Sequence, residues 1–127
     1  MTLGTWVLVA LLGGTGSIAR FMVDGWVGER AGGGWVGGGR FPWGTFVVNI
    51  SGAALLGGVA GAALTGNALI LAGTATLGSY TTLSTWVLES HRLGQDDQLG
   101  VGLVNLLGSL VVGFGALALG HVAGAAL

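Results

Sequence analysis

Residues 78–86, GSYTTLSTW, place an unusual density of hydroxyl groups inside an apolar stretch of the chain. Six of the nine side chains carry a hydroxyl, and the preceding residues from about Ala68 are mostly apolar. Serine and threonine hydroxyls can bond to carbonyls of their own helix and loosen its main-chain ladder, and a glycine costs about 1 kcal/mol relative to alanine inside a helix. The stretch therefore predicts a break about halfway along a membrane-spanning helix. A mildly kinked helix with back-bonded hydroxyls is the alternative.

A break of this kind would have chemical consequences. Irregular backbone at membrane depth persists only where protein, water or a bound ion satisfies its polar groups. Freed carbonyl oxygens suit a hard monovalent cation such as Na⁺, whereas freed N–H groups at the start of the second half-helix suit an anion. The pattern alone does not choose between these two ligands.

The composition is that of an integral membrane protein. Of the 127 residues, 52% are hydrophobic and only 7% are charged, whereas soluble domains carry roughly 25% charged residues. So few charges cannot cover a water-facing surface, so the apolar residues must face lipid or protein. The net charge of −1 argues against nucleic-acid binding, and the absence of cysteine excludes disulfides and thiolate metal sites.

Four apolar segments are long enough to cross a bilayer, which requires about 20 helical residues. They cover residues 3–23, 43–64, 68–88 and 99–122 and predict one all-α domain, residues 1–127, with four transmembrane helices. A glycine-rich loop follows the first span, a tight turn at residues 65–67 follows the second, and a polar loop at residues 89–98 follows the third. Four spans place both termini on one side of the membrane.

The arginines predict the orientation of these spans. All four lie in or beside the first and third loops: Arg20, Arg30, Arg40 and Arg92. Because positively charged residues concentrate in cytoplasmic loops, both loops are expected in the cytoplasm and both termini outside.

Polar residues within the spans are the candidates for function. An amide in hydrocarbon must face protein or water, so Asn49 is either a contact between helices or part of an ion path. On the fourth span, Gly102, Asn105, Ser109 and Gly113 share one narrow helical face. That face is either a close-packing seam or the lining of a pathway.

Charged residues at the span ends allow two interpretations. The sequence shows no set of catalytic side chains. Arg20 and Glu89 could snorkel to the interface, or Arg20 could form a basic vestibule that concentrates anions. His91 and His121 have no partner at metal-ligand spacing, and no Ser–His–acid set is indicated. We therefore do not expect an enzyme.

Four pieces of the chain resemble the small fluoride channels of the Fluc family. They are GGTGSIARF (13–21), GTFVVNISGAALLG (44–57), GSYTTLSTWVLE (78–89) and NLLGS (105–109). Their order and their placement on four spans cover nearly the whole chain. The resemblance implies a passive, multi-pass fluoride channel of the bacterial inner membrane, built as an antiparallel dimer with a broken third helix. It also implies a structural, non-transported Na⁺ at the dimer centre, held by the carbonyls of Gly78 and Thr81 from each subunit.

The resemblance assigns an ion path as well. The matching positions are Asn49, Ser84, Thr85, Asn105 and Ser109, with Arg20 at the vestibule. Members of the family usually read TTFSTF, with two phenylalanines whose ring edges face fluoride, and an aromatic edge carries partial positive charge. This chain has Leu83 and Trp86 at those positions. Trp86 keeps an aromatic edge and adds an N–H donor, whereas Leu83 offers neither.

The distribution of arginines and the departures from the family pattern leave several alternatives for the assembly and the function. A chain that inserts in both orientations should show little arginine bias, so the bias predicts a fixed orientation and a heterodimer with an inverted paralogue, with a dual-topology homodimer as the alternative. The chain could also be a non-conducting accessory subunit. A four-span multidrug transporter would need a membrane carboxylate near residue 14, where this chain has Gly14.

Overall fold

The computed structural model describes residues 1–31 and 41–127. Every regular element in these ranges is helical. The helices are α1 (Leu3–Ala31), α2 (Trp43–Gly61), α3 (Gly66–Leu69), the π-helix π1 (Ile70–Leu77), α4 (Gly78–Tyr80), α5 (Leu83–Gln95), α6 (Leu99–Leu103), the π-helix π2 (Val104–Gly108) and α7 (Ser109–Ala125). The predicted all-α class is therefore confirmed for these residues. Residues 32–40 of the glycine-rich loop, including Arg40, lie outside them.

Three continuous helices in the described ranges are long and apolar enough to cross a membrane. They are Leu3–Ala31, Trp43–Gly61 and Leu99–Ala125. The segment predicted as the third span is divided instead between the helical run from α3 to α4 and the separate helix α5. The four predicted spans thus correspond to three continuous helices and one segmented one.

Helix α1 extends beyond the predicted end of the first span at residue 23. At about 1.5 Å per residue, its 29 residues exceed the roughly 30 Å hydrocarbon thickness of a bilayer. In the last turn, the Arg30 guanidinium lies 4.0 Å from the centre of the Trp26 ring and donates to the Trp26 carbonyl at 3.4 Å. A cation near a helix C-terminus is favourable, and the aromatic contact adds to it.

The prediction of a polar loop over residues 89–98 is wrong for most of that stretch. Helix α5 continues to Gln95, and its end has the geometry of a Schellman motif. Asp97 adopts φ 58°, in the left-handed region that aspartate tolerates, and the Gln98 N–H donates to the Leu93 carbonyl at 2.8 Å. The connection to α6 is therefore short, and α5 and α6 pack against each other.

Helices α2 and α7 form the most extensive contact in the described protein. The two backbones touch where glycines meet carbonyl groups. A Cβ atom on Gly120 would overlap the carbonyl group of Ala54, and one on Gly57 would overlap that of Leu117. Small residues of this kind let transmembrane helices pack closely in lipid, where apolar burial alone gives little driving force. Helix α1 packs against α2, π1 and α4 and completes the bundle.

Candidate functional site

The main-chain helix is interrupted at Thr81 and Thr82. Thr81 has φ −77° and ψ 161°, and Thr82 has φ −144° and ψ 121°, so both are extended between α4 and α5. The interruption lies inside the hydroxyl-rich stretch from which a break was predicted. Two consecutive extended residues displace the i to i−4 hydrogen bonds of a helix, so partners for the affected groups must come from elsewhere.

Two backbone N–H groups around the interruption bond to side chains. The Thr82 N–H donates to Asn49 Oδ1 at 2.8 Å, whereas in a continuous helix it would donate to the Gly78 carbonyl. The Thr85 N–H donates to Thr82 Oγ1 at 3.3 Å, where a continuous helix would use the Thr81 carbonyl. Thr82 is thus the N-cap of α5. The interruption removes the usual helical donors of all four carbonyl oxygens of residues 78–81, which include the predicted ligands Gly78 and Thr81.

Helix α2 contacts Tyr80, Thr81 and Thr82, which together we call the interrupted segment. Asn49 Nδ2 donates to the Thr82 carbonyl at 2.9 Å, in addition to accepting the Thr82 N–H. Ser51 Oγ lies 2.9 Å from the Tyr80 hydroxyl. Gly52 lies so close to the Thr81 methyl group that a Cβ atom there would overlap it. Asn49 therefore joins α2 to Thr82 at the interruption.

A second polar cluster joins α5 to the last helix. The Trp86 indole N–H donates to the Asn105 carbonyl at 3.0 Å, and Asn105 Nδ2 donates to Ser90 Oγ at 2.9 Å. Ser90 Oγ in turn donates to the Trp86 carbonyl at 2.9 Å, which closes a ring of hydrogen bonds. Asn105 is fully buried, and its Oδ1 accepts from Ser109 Oγ at 3.4 Å.

Sequence reasoning missed Ser90 and gave no partner for the Trp86 N–H. Ser90 was placed in the polar loop because histidine, arginine and acidic residues follow it. A serine four residues after Trp86 is a usable signal, since serine often bonds to the i−4 carbonyl of its own helix. The Trp86 N–H, predicted as an added donor, is bound to the Asn105 carbonyl.

Replacing Trp86 with phenylalanine tests this second cluster. Trp86→Phe removes the donor to the Asn105 carbonyl, so we expect the free energy of unfolding in detergent to fall by about 1 kcal/mol. Trp6→Phe is the matched control, because Trp6 is 59% exposed on α1. Thermal unfolding of both variants checks the expectation. Equal midpoints for the two would show that the indole hydrogen bond contributes nothing.

A groove of about 610 Å³ runs along the interrupted segment. Its walls come from α2, from the segment between α3 and α5, and from α7. Six of the predicted site residues line it: Asn49, Gly78, Thr81, Leu83, Trp86 and Ser109. The groove therefore brings both predicted cation ligands together with part of the predicted ion path.

Four predicted site residues lie outside the walls of this groove. Ser84 and Thr85 are in the first turn of α5, where their hydroxyls lie 3.5 and 3.0 Å from Thr82 Oγ1. Asn105 does not line the groove but bonds to two residues that do, Trp86 and Ser109. Arg20 is on α1, and its Nε is buried without a hydrogen-bond partner in the described part of the chain.

Two further buried polar atoms lack a hydrogen-bond partner among the described residues. They are Thr45 Oγ1 and Glu89 Oε2. Thr45 is one helical turn before Asn49, and its side chain is 1% exposed. No group of three or more histidine, cysteine, aspartate or glutamate side chains in residues 1–31 and 41–127 could hold a metal ion.

Fold and site together define a small, multi-pass helical membrane protein with a mostly apolar groove beside an interrupted helix. Comparison with known families agrees with this class. Residues 7–121 match the family model described as CrcB-like protein, Camphor Resistance (CrcB). The chain belongs to this family.

Several relatives carry a more specific name. The chain is 52% identical over 120 residues to the Fluoride-specific ion channel FluC 2 of Mycolicibacterium paratuberculosis, covering 94% of this chain and 93% of that protein. It is 48% identical over 121 residues to the protein of the same name in Mycobacterium tuberculosis H37Rv, covering 95% and 91%. It is 37% identical over 119 residues to FluC 1 of Symbiobacterium thermophilum, covering 90% of each chain. No significant match was found among solved structures. The predicted family is confirmed.

Proposed function

We propose that this chain is a subunit of a passive, fluoride-selective channel that lets cytoplasmic fluoride leave through a bacterial inner membrane. The observation that carries the proposal is the 52% identity over 94% of the chain to a protein named as a fluoride-specific ion channel. The geometry supports it, because amide and hydroxyl groups gather at a groove beside an interrupted helix. Family membership supports a channel and not an enzyme.

The proposed ion path uses neutral donors. Fluoride is small and strongly hydrated, so closely spaced N–H and O–H groups must replace its water shell, while a fixed cation would hold the ion too tightly. Asn49 and Ser109 line the groove, and Ser84 and Thr85 lie at the N-terminus of α5, whose positive dipole end favours an anion. Asn105 acts by orienting the Ser109 hydroxyl, and Arg20 raises the anion concentration at the vestibule.

The proposal includes a structural sodium ion, which is not transported. The chemistry of the donors fits, since carbonyl oxygens are neutral, hard ligands suited to an alkali cation. The carbonyls of Gly78 and Thr81 are the ones whose helical donors bond to Asn49 and Thr82 instead. Bound there, the ion would supply a fixed positive charge between the subunits.

The proposed assembly is an antiparallel dimer with a broken third transmembrane helix in each subunit. One chain offers two carbonyls, so a second, inverted copy would complete a set of four around the ion. The lining of the groove includes the apolar side chains of Leu56, Leu110 and Leu117, and such a lining is suited to cover by another helical surface within the membrane. An inverted paralogue could take the same place.

One observation favours a second candidate, a subunit that conducts only with a paralogue. Leu83 is 68% exposed and has no aromatic edge, and the Trp86 N–H is already bonded to Asn105. Phenylalanine edges would then have to come from the other subunit. The relatives carry numbered names from FluC 1 to FluC 4, which is consistent with paralogues. The arginine bias supports a fixed orientation for each.

Ion flux from liposomes tests both candidates. The purified chain is reconstituted alone and together with a paralogue that has phenylalanines at the positions of Leu83 and Trp86, with protein-free liposomes as the control. We expect fluoride efflux and little chloride efflux. Equal rates for the two anions would contradict selectivity. Efflux that requires the paralogue would establish the second candidate.

A further inference from the structure

We infer that three residues of α2 position the carbonyl oxygens of the proposed cation site by holding the interrupted segment in its non-helical conformation. We call Asn49, Ser51 and Gly52 the α2 clamp. The inference rests on the sodium site of the proposed function, and it assigns to helix α2 a positioning role toward that ion. None of the three clamp residues supplies one of the proposed ligand oxygens.

Asn49 holds the interruption through both ends of its amide. Its Oδ1 accepts the Thr82 N–H at 2.8 Å, and its Nδ2 donates to the carbonyl of the same residue at 2.9 Å. This pair of bonds satisfies both polar groups of Thr82, which an extended residue in an apolar layer would otherwise leave without partners. Because the Thr82 N–H is occupied, it does not return to the Gly78 carbonyl. That oxygen stays available to a cation.

Gly52 fixes how closely the segment approaches α2. A Cβ atom there would overlap the Thr81 methyl group and lie 3.3 Å from a ring carbon of Tyr80. Any larger side chain would push Thr81 away from the helix. The Thr81 hydroxyl donates to the Leu77 carbonyl at 3.1 Å, which ties the same residue to the preceding helical turn. The Thr81 carbonyl is thereby held in place from two sides.

Ser51 and Tyr80 add a contact between two hydroxyls. The Ser51 hydroxyl has one proton, which it donates within its own helix. Ser51 Oγ lies 2.7 Å from the Val47 carbonyl oxygen and 3.1 Å from that of Val48. Ser51 Oγ therefore acts as the acceptor, and the Tyr80 hydroxyl donates to it at 2.9 Å. This bond anchors the last residue of α4, immediately before the backbone becomes extended.

Together the three contacts hold residues 80, 81 and 82 against one helix. A site whose ligands are held before the ion arrives loses less entropy on binding than a site that must first be ordered. The α2 clamp should therefore raise sodium affinity as well as overall stability. Sodium affinity is the quantity that separates a positioning role from ordinary packing.

Sodium-dependent thermal unfolding of the full-length protein in detergent tests the inference. The midpoint is measured across NaCl concentrations at constant ionic strength, with N-methyl-D-glucamine chloride as the replacement salt. Losing a buried hydrogen-bond partner weakens a site by about tenfold or more, so Asn49→Ala should raise the half-saturating sodium concentration by about that factor. Tyr80→Phe, which removes one hydroxyl, should raise it about threefold.

Ser90→Ala is the control, since it removes a hydroxyl on α5 that accepts from the buried Asn105 amide and has no proposed role at either ion site. It should lower the unfolding temperature and leave the half-saturating sodium concentration unchanged. Sodium dependence of folded Asn49→Ala equal to that of the unaltered chain would overturn the inference. Should Asn49→Ala not fold, Tyr80→Phe and Ser51→Ala decide by the same criterion.

The two levels of the proposal fail in different ways. If the unaltered chain shows no stabilisation by sodium, both the clamp inference and the sodium site are overturned. Fluoride efflux from liposomes made with the same preparation continues to test the channel itself. If sodium stabilises the protein and Asn49→Ala and Tyr80→Phe both keep the sodium dependence of the unaltered chain, the clamp inference alone is wrong.

Discussion

Replacing Gly120 with alanine should prevent the protein from accumulating in a stable, folded form. A Cβ atom at this position would lie 2.8 Å from the carbonyl carbon of Ala54, closer still to its oxygen, and 3.1 Å from the Gly58 nitrogen. All three are backbone atoms, which cannot move aside as a flexible side chain can. The helices α2 and α7 would have to separate along their most extensive contact. We expect a loss of about 3 kcal/mol or more in the free energy of unfolding.

Gly115→Ala is the matched control for this prediction. Gly115 is on the same helix, and a Cβ atom there would meet nothing within 4 Å. Because alanine is the better helix former by about 1 kcal/mol, this variant should be as stable as the unaltered chain or slightly more so. Yield of monodisperse protein and its unfolding temperature in detergent are the measurements. Equal stability of the two variants would refute the close-packing account of α2 and α7.

Replacing Thr82 with valine should sharply reduce fluoride efflux. Valine keeps the shape and loses the hydroxyl that caps α5 by accepting the Thr85 N–H and donating to Thr85 Oγ1 at 3.0 Å. The Thr85 N–H could then return to the Thr81 carbonyl and withdraw that oxygen from the proposed ion. Loss of an N-cap costs about 1–2 kcal/mol. That corresponds to a roughly 5- to 30-fold smaller population of the interrupted form.

The control is Thr74→Val, the same substitution on the same groove wall. Thr74 lies in π1 and is exposed, and its hydroxyl takes no part in the contacts around the interrupted segment. We expect Thr74→Val to conduct fluoride at the rate of the unaltered chain. Efflux from liposomes, corrected for the amount of protein incorporated, is the measurement. Normal efflux through Thr82→Val would show that the cap does not maintain the site.

Much of the fold could be predicted because the bilayer imposes a strong constraint on sequence. Apolar length located α2 and the last helix, and the hydroxyl-rich stretch located the interruption at Thr81 and Thr82. The ends of α1 and α5 were predicted less well. Both helices continue past the apolar residues, since Arg30 caps one and Asp97 closes the other at positions where hydropathy has already changed. Hydropathy reports the membrane boundary and not the helix boundary.

The candidate site could likewise be predicted only in part. Residue type alone identified Asn49, Asn105 and Ser109 as polar groups that needed partners. Their partners could not be predicted, because helical periodicity shows which residues share a face and not which face of another helix they meet. Thr82 is 33 residues from Asn49, and Trp86 is 19 residues from the carbonyl that it bonds. The partner of the Trp86 N–H could therefore not be predicted.

The sequence by itself determined that this protein spans a membrane as helices, that the third span contains a run of hydroxyl-bearing residues, and which family the chain belongs to. These properties depend on the kind and order of residues. Because polar groups are costly in lipid, they stand out within an apolar sequence. Only the tertiary structure decided which carbonyls are released and which hydroxyls are already bonded. Those outcomes depend on competition among donors from distant parts of the chain, and Asn49 takes the Thr82 N–H from Gly78 only once α2 lies beside it.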